Sequence, residues 1–385
     1  MQVARRNSGI DLLRGLSIVL VIMHHLGLRI PLKESFLAYF LPKWFLSALI
    51  YNGSEAVFMF FVISGFLIAS NTIERWGSLS AIEPRAFYSR RATRILPCLL
   101  ILIAVLSCLH LLHVENYTID KQSQSLPSAI FAALGLYLNW YEGLTGYLPG
   151  NWDVLWSLSI EEAFYLSFPL ACLFARKRWQ LVTFLTLLAL SLPVTRGALA
   201  ENEIWQEKAY LPGMAAIATG ILAAILAKEF KPIERHATCL QVAGSIGIIA
   251  ILFFESLFWR QIGNGALLIL TLSSASLLIG CQWRYVFNPN WSIPGTTWIR
   301  SCGRLSYEMY LTHMFIVWPV VSHFKQSGSD VKWGILWYGP ALALSWLLGT
   351  LVARFISLPA EQVIHRRFQL TNSVPSKGFA PHKVP

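Results

Sequence analysis

Charged residues are scarce in this chain. They make up 13% of its 385 residues, whereas soluble domains carry about 25%. Hydrophobic residues account for 55%, and the mean hydropathy is +0.53. This composition excludes an ordinary soluble enzyme, an intrinsically disordered chain and a secreted disulfide scaffold. It predicts an all-α fold, a polytopic helical bundle embedded in a membrane.

Acidic residues are scarcer than basic ones, with 20 Asp and Glu against 31 Lys and Arg and a net charge of +11. The basic residues lie between apolar runs, so the charge favours membrane topology and lipid contacts over nucleic-acid binding, and we expect no nucleic-acid partner. Six cysteines are present without metal-ligand spacing or a disulfide framework. We interpret them as packing residues and expect no metal.

Ten apolar runs have the length that a membrane-spanning helix needs, about 20 residues. They lie near 10–28, 50–70, 94–113, 156–175, 179–197, 210–228, 239–259, 263–282, 306–324 and 335–357. An eleventh run, 127–141, is shorter, begins at a proline and ends in aromatic residues suited to a membrane interface. We predict that it is a re-entrant or interfacial element.

The distribution of Lys and Arg predicts the topology. If 127–141 does not cross, one side of the membrane holds 20 of these residues, the other holds nine, and two lie within spans. Cytoplasmic loops are the basic ones, so both termini are predicted to be cytoplasmic. Residues 1–360 are expected to form the membrane domain, with the first span as an uncleaved anchor, and 361–385 a short basic cytoplasmic tail.

The first span contains four ionisable residues: Asp11, Arg14, His24 and His25. Each costs about 2.5 to 3.5 kcal/mol to insert into a membrane, so each is a functional candidate. Arg14 and His25 are eleven residues apart, which places them on one helix face, roughly 16 Å apart along the axis. The alternative is that Asp11 neutralises Arg14 and the histidines are interfacial. For His24, which points away from that face, a structural role is favoured.

Two further groups carry candidate chemistry. Glu161 and Glu162 enter the fourth span at a depth comparable with His25. One of them could orient the imidazole, and the other could pair with a cation that holds the bundle together. The basic cluster contains Arg90, Arg91 and Arg94. Arginine forks suit phosphate, although an ordinary cytoplasmic cluster or an anionic-lipid contact is an equal alternative.

Five segments in order resemble the acyltransferase 3 family of integral membrane acyltransferases, especially bacterial O-acetyltransferases that modify surface polysaccharide such as lipopolysaccharide O-antigen. The most specific element is an Arg, ten residues, His pattern, which Arg14 and His25 meet. The other segments read FFVISGFLI, RRATRILP, WSLSIEEAFY and SYEMYLTH. The resemblance covers nearly the whole chain, without the fused hydrolase-like domain of longer relatives, and this predicts the membrane module alone.

The resemblance implies an acyl-CoA donor, with acetyl-CoA expected, presented from the cytoplasm of a bacterium. It implies a hydroxyl acceptor on a polysaccharide or lipid-linked sugar, reached at the outer side of the inner membrane. His25 and Arg14 would be the critical pair, Glu161 or Glu162 would lie on the acceptor side, and the arginine cluster would bind the donor phosphates. Further substrate contacts are expected from Asp11, Ser159, Tyr310 and His313.

Two points stay open from the sequence. His25 could act as a general base on the sugar hydroxyl or as a nucleophile that carries the acyl group. A transporter or flippase is the alternative from another class, with Asp11, Arg14, His25 and the glutamates as a charge relay. Such proteins often contain inverted repeats, and the sequence shows no such repeat.

Overall fold

A computed structural model describes residues 6–175 and 177–363. The described part is helical, without β-strands, which confirms the predicted all-α class. Of the predicted tail, residues 364–385 lie outside the described residues. The α-helices in chain order are α1 (Ser8–Gly27), α2 (Lys43–Tyr51), α3 (Gly53–Trp76), α4 (Pro84–Leu111), α5 (Leu126–Leu134), α6 (Leu138–Thr145), α7 (Gly150–Asp153), α8 (Trp156–Phe174), α9 (Arg178–Leu190), α10 (Leu192–Gly197), α11 (Glu203–Lys208), α12 (Tyr210–Glu229), α13 (Glu234–Phe253), α14 (Glu255–Ile262), α15 (Gly265–Phe287), α16 (Thr297–Arg304), α17 (Ser306–Thr312), α18 (Met314–Gln326) and α19 (Tyr338–Val352).

Nine helical segments in the described ranges are long and apolar enough to cross a membrane. The chain is therefore a multi-pass membrane protein. These segments coincide with nine of the ten predicted spans, and they are Ser8–Gly27, Gly53–Trp76, Pro84–Leu111, Gly150–Phe174, Arg178–Gly197, Glu203–Glu229, Glu234–Phe253, Gly265–Phe287 and Val331–Val363.

The tenth predicted span, 306–324, is a broken helix in which α17 and α18 meet at His313. A ring nitrogen of His313, Nδ1, lies 2.8 Å from the carbonyl oxygen of Tyr310 and 3.2 Å from that of Met309. In a continuous helix the Tyr310 carbonyl would accept the N–H of Met314. The imidazole takes that place, and a side chain inserted into the backbone hydrogen-bond ladder is a known cause of helix breaks.

The short run 127–141 forms two small helices, α5 and α6, neither of which is long enough to cross. Leu136 between them has a positive φ of 61°, outside the right-handed helical region, so α5 does not continue into α6. The backbone N–H of Leu138 donates to Ser159 Oγ at 3.2 Å. Lys208 Nζ lies 2.9 Å from Glu142 Oε2 and also contacts Asp153. These polar contacts fasten the short element to α8 and α11.

Glycines allow the central helices to touch through their backbones. A Cβ added to Gly65 on α3 would lie 2.8 Å from the backbone carbonyl carbon of Ile217 on α12. A Cβ on Gly220 of α12 would lie 2.7 Å from the backbone nitrogen of Phe66. Close approach through small residues is the usual way in which membrane helices pack. These contacts hold α3 against α12 beside the cavity described below.

The two ends of the bundle differ in their polar residues. Arg6 and Glu361, near the two ends of the described chain, line adjoining cavities that share Arg91 and Arg94. We call this the arginine end. His25 occupies the last turn of α1, about three helical turns from Arg14. We call that opposite end the histidine end.

Candidate active site

A cavity of about 360 Å³ extends into the bundle from the arginine end. Side chains from α1, α3, α4, α8, α15 and α17 line it, so it forms only when the tertiary structure assembles. Seven of the eleven predicted site residues meet on its walls: Asp11, Arg14, Arg91, Arg94, Glu161, Glu162 and Tyr310.

Arg14 is the most deeply placed cation of the cavity wall. Its side chain is 9% exposed, and one guanidinium nitrogen donates to Ser306 Oγ at 2.7 Å. Among the described residues no carboxylate oxygen lies within 4 Å of it, so Asp11 does not form the ion pair that the sequence left open. A guanidinium has five N–H donors. Arg14 can therefore bind a further acceptor in the cavity.

Glu161 and Glu162 share the cavity with the arginines. The strongest charge acting on both carboxyl groups is that of Arg91, with Arg94 next among the cations. Ser64 hydrogen-bonds to Glu161 and to the hydroxyl of Tyr165. One oxygen of Glu162 is buried without a hydrogen-bond partner. The cavity thus contains both signs of charge.

The arginine cluster is divided between two adjoining cavities. Arg91 lies with its guanidinium 4.0 Å from the centre of the Tyr165 ring, which fixes its position on the cavity wall. Arg90 does not line this cavity. Arg90 and Arg75 line a neighbouring cavity of about 510 Å³. Arg91 and Arg94 line both cavities. The two spaces together are lined by six arginines, namely Arg6, Arg14, Arg75, Arg90, Arg91 and Arg94.

His25 lies beyond the cavity and is paired with another histidine. Its ring centre is 5.1 Å from that of His313. The groups whose charge acts most strongly on His25 are His313, His24, Arg29 and Lys208. This corrects the expectation that a glutamate orients the imidazole, because Glu161 and Glu162 line the cavity and neither is among those groups.

The backbone contacts of His313 fix its tautomer. A neutral imidazole that bonds a carbonyl oxygen through Nδ1 must carry its proton there, and Nε2 is then an acceptor. His313 is fully buried, and its Nε2 has no hydrogen-bond partner. The pair therefore presents a free nitrogen lone pair within the protein.

Tyr310 separates the cavity from the histidine pair. Its hydroxyl hydrogen-bonds to Ser157 Oγ at 2.9 Å, and both residues line the cavity. Its ring centre lies 6.0 Å from that of His313. Tyr310 consequently contacts both parts of the site.

Two residues of the first and fourth spans have structural partners instead of cavity contacts. Ser159, expected to touch substrate, accepts the Leu138 N–H and is 1% exposed. It is two residues from Glu161, a rotation of about 200°, and so faces the other side of α8. His24 has Nδ1 3.0 Å from the carbonyl oxygen of Ile50.

Three serines were missed by sequence reasoning: Ser64, Ser157 and Ser306. Ser157 precedes Glu161 by four residues and therefore shares its helix face, a signal that was available. Ser306 begins the SYEMYLTH segment, but its contact with Arg14 joins residues 292 positions apart. In the described ranges no group of three or more His, Cys, Asp or Glu side chains could hold a metal ion.

The geometry can be compared with known proteins. The sequence profile of the acyltransferase 3 domain matches residues 7–355. The chain belongs to the acyltransferase 3 family. The chain is similar to the O-acetyltransferase OatA of Staphylococcus aureus (strain NCTC 8325). The two sequences are 26% identical over 382 residues, which cover 92% of this chain and 57% of OatA.

A second relative is described by its name as a candidate O-acetyltransferase of Staphylococcus aureus strain COL. It is 26% identical over 375 residues, covering 91% of this chain and 56% of the relative. The chain thus spans little more than half the length of these two relatives. No solved structure matches it.

Proposed function

We propose that this protein is a membrane O-acyltransferase that moves an acetyl group from cytoplasmic acetyl-CoA to a sugar hydroxyl of a bacterial surface polysaccharide, such as O-antigen, or of its lipid-linked precursor. One observation carries the proposal. A cavity rich in arginine ends at Tyr310, and two histidines lie directly behind that residue. The names of the two relatives support acetyl transfer to oxygen.

The arginine end supplies the donor site. The phosphates of CoA are multiply charged anions, and guanidinium forks bind such groups in a bidentate manner. In this proposal the phosphates lie against Arg90 and Arg94 in the larger cavity, and the pantetheine arm extends into the smaller one. Arg14, buried deeper on α1, then lies nearest to the thioester, where its free N–H groups stabilise negative charge on the carbonyl oxygen.

The histidine pair supplies the proton transfer. His25 takes the proton of the acceptor hydroxyl, and the hydroxyl oxygen attacks the thioester carbonyl carbon. The carbon–sulfur bond then breaks, and the proton passes from His25 to the departing CoA thiolate. General-base assistance of this kind is worth about 10² to 10⁴ in rate.

An acyl-histidine route uses the same residues. The unprotonated ring nitrogen of neutral His25 attacks the thioester carbon, the carbon–sulfur bond breaks, and CoA leaves as the thiol with the proton of the other ring nitrogen. The acceptor hydroxyl then attacks the acyl-imidazole, and its proton returns to the ring nitrogen. Movement of Tyr310 would join the cavity to the histidines in either route, because this side chain contacts both.

The proposed orientation places the arginine end in the cytoplasm of the bacterial inner membrane. It follows from the basic residues, which concentrate at the loops of that end. Both chain termini then face the cytoplasm, where acyl-CoA is available. The acceptor reaches His25 from the opposite side.

The test is transfer of radiolabelled acetyl from acetyl-CoA to host lipopolysaccharide in membranes that contain the wild type, Arg14→Ala or His25→Ala. We expect label with the wild type and a loss of at least 100-fold in both variants at equal protein level. His236→Ala, which removes an exposed histidine, is the matched control and should transfer normally. Full activity of His25→Ala would refute the catalytic assignment. Wild-type label equal to that of membranes without the protein would refute lipopolysaccharide as acceptor and favour the transporter alternative.

A further inference from the structure

Buried polar atoms without partners collect at the histidine end. Both amide atoms of Asn151, which is 1% exposed, have no hydrogen-bond partner. The indole nitrogens of Trp152 and Trp318 and the Nε2 of His313 are also buried and unpartnered. Buried polar groups in native proteins are almost always hydrogen-bonded, so a cluster of exceptions marks a place where water or a ligand can bind.

Asn151 and Trp152 belong to α7 and Trp318 belongs to α18, and these two helices are in contact with each other. A Cβ added to Gly150 would lie 3.6 Å from Trp318 Nε1 and 2.6 Å from Met314 Cε. The first turn of α7 therefore lies directly on α18, and Asn151 is the next residue of that turn. Met314 in turn follows His313 in the chain.

Arg29 connects this region to His25. Its guanidinium lies 4.1 Å from the centre of a Trp318 ring and donates to the His25 carbonyl oxygen at 2.7 Å. Trp318 is thus one side chain away from the backbone of His25. Burial lowers the pKa of Arg29, and the charge of Asp153 partly offsets this.

The chemistry of the free groups favours a neutral ligand with several hydroxyls. Indole N–H groups donate, a histidine Nε2 accepts, and an amide does both. Each hydroxyl of a sugar also donates and accepts, so such a ligand could satisfy the whole set. Lys208 is paired with Glu142 and Asp153, and the Arg29 guanidinium contacts the Trp318 ring and the His25 carbonyl oxygen. The groups left without partners are themselves uncharged, which favours a neutral ligand.

We propose that Asn151 and Trp318 form the acceptor subsite, in which the Asn151 amide and the Trp318 indole N–H bind hydroxyls of a neutral sugar beside the hydroxyl that reacts at His25. This inference rests on the proposed function, because it identifies where the acceptor of that reaction binds. Neither residue was singled out by the sequence, since Asn151 precedes the fourth span and Trp318 is one of 15 tryptophans.

Steady-state transfer with varied acceptor provides the first test. Asn151→Ala should raise the acceptor KM by about 10-fold while leaving the acetyl-CoA KM unchanged. Trp318→Phe, which retains an aromatic ring and loses the N–H, should shift it in the same direction. Asn151→Ser is the milder variant should Asn151→Ala fail to fold. Asn290→Ala and Trp140→Phe, both exposed residues, are the matched controls. An unchanged acceptor KM in both Asn151→Ala and Trp318→Phe would overturn the subsite and leave the proposed function standing.

Binding without turnover separates the two proposals. Saturation-transfer NMR of detergent-purified wild type with methyl glycosides of glucose, galactose and mannose should show sugar signals that Asn151→Ala reduces at least threefold. Such signals would support the subsite even if the wild type transferred no label and the proposed function failed. Equal signals in wild type and Asn151→Ala, or none in the wild type, would count against it.

Discussion

At the scale of single residues, burial determines what each charged group can do. Arg14 is 9% exposed and hydrogen-bonds to a neutral serine hydroxyl. A cation placed this way inside a membrane bundle is costly unless an anion or a dipole compensates it. Glu161 and Glu162 lie among arginines in the same cavity and partly balance it.

We expect Arg14→Lys to raise the KM for acetyl-CoA by about 10-fold or more, because an ammonium group lacks the planar fork of five donors. Acetyl-CoA titration in the transfer assay measures this. Ser306→Ala, which removes the serine that Arg14 contacts, should give a smaller increase of about 2- to 5-fold. If lysine supported a normal KM, Arg14 would act only as a point charge.

At the scale of helices, the bundle depends on contacts that leave no room for side chains. Gly65 and Gly220 bring the backbones of α3 and α12 together, and the cavity is built partly on α3. The short element α5 and α6 is held differently, by buried polar groups around Lys208. Packing and polar fastening therefore operate in different parts of the molecule.

Gly65→Ala should destabilise the protein by about 1 to 3 kcal/mol, because the new methyl group overlaps the backbone of α12, which cannot yield easily. Thermal unfolding in detergent, followed by tryptophan fluorescence, measures the change. Gly339→Ala is the matched control, since an added Cβ there meets nothing within 4 Å. It should be neutral or slightly stabilising. Equal melting temperatures for both variants would contradict the close approach of α3 and α12.

Glu142, outside the nine long helices, should make stability depend on pH. Burial raises the pKa of Glu142 well above its ordinary value, and the nearby Asp153 adds to the shift. The folded protein therefore keeps a proton that the unfolded chain loses, so its stabilising effect is present below about pH 4.3 and declines as pH rises towards the raised pKa.

Glu142→Gln removes this titration. The melting temperature of the variant minus that of the wild type should therefore be more positive at pH 8 than at pH 5, as measured by thermal unfolding in the same detergent. Glu203→Gln, an exposed glutamate on α11, provides the comparison and should give the same difference at both pH values. A Glu142→Gln difference that falls as pH rises would contradict the direction of the shift.

At the scale of the whole molecule, the proposal needs the two ends of the bundle to face different compartments. Arg6 and Glu361 lie at the arginine end, and Lys121 belongs to the long connection at the histidine end. On a background without the exposed Cys108 and Cys239, an impermeant thiol reagent added to intact spheroplasts should label Lys121→Cys. Asn290 lies in the connection between α15 and α16, at the arginine end. The reagent should therefore label Asn290→Cys only after lysis. The reverse pattern would invert the proposed orientation and separate the arginine cavity from cytoplasmic acyl-CoA.

Much of the fold could be predicted because membrane insertion imposes a local rule. About 20 apolar residues are needed to cross, and the run lengths show this without knowledge of tertiary contacts. The broken span at His313 was not predictable, because its hydropathy is that of a continuous helix and the break arises from one imidazole bonding to the backbone. The shortness of 127–141 was visible, whereas its attachment through Glu142 and Lys208 was not.

The sequence by itself determined the class of protein, the positions of its spans, its family and seven of the residues that line the cavity, because these depend on composition, periodicity and short motifs. Only the tertiary structure decided which of those residues meet. It placed Glu161 and Glu162 with the arginines, turned Ser159 towards Leu138, and brought His313 to His25 from the opposite part of the chain. The physical reason is that a helix face can be calculated from residue spacing, but the neighbour that covers it depends on how ten segments pack.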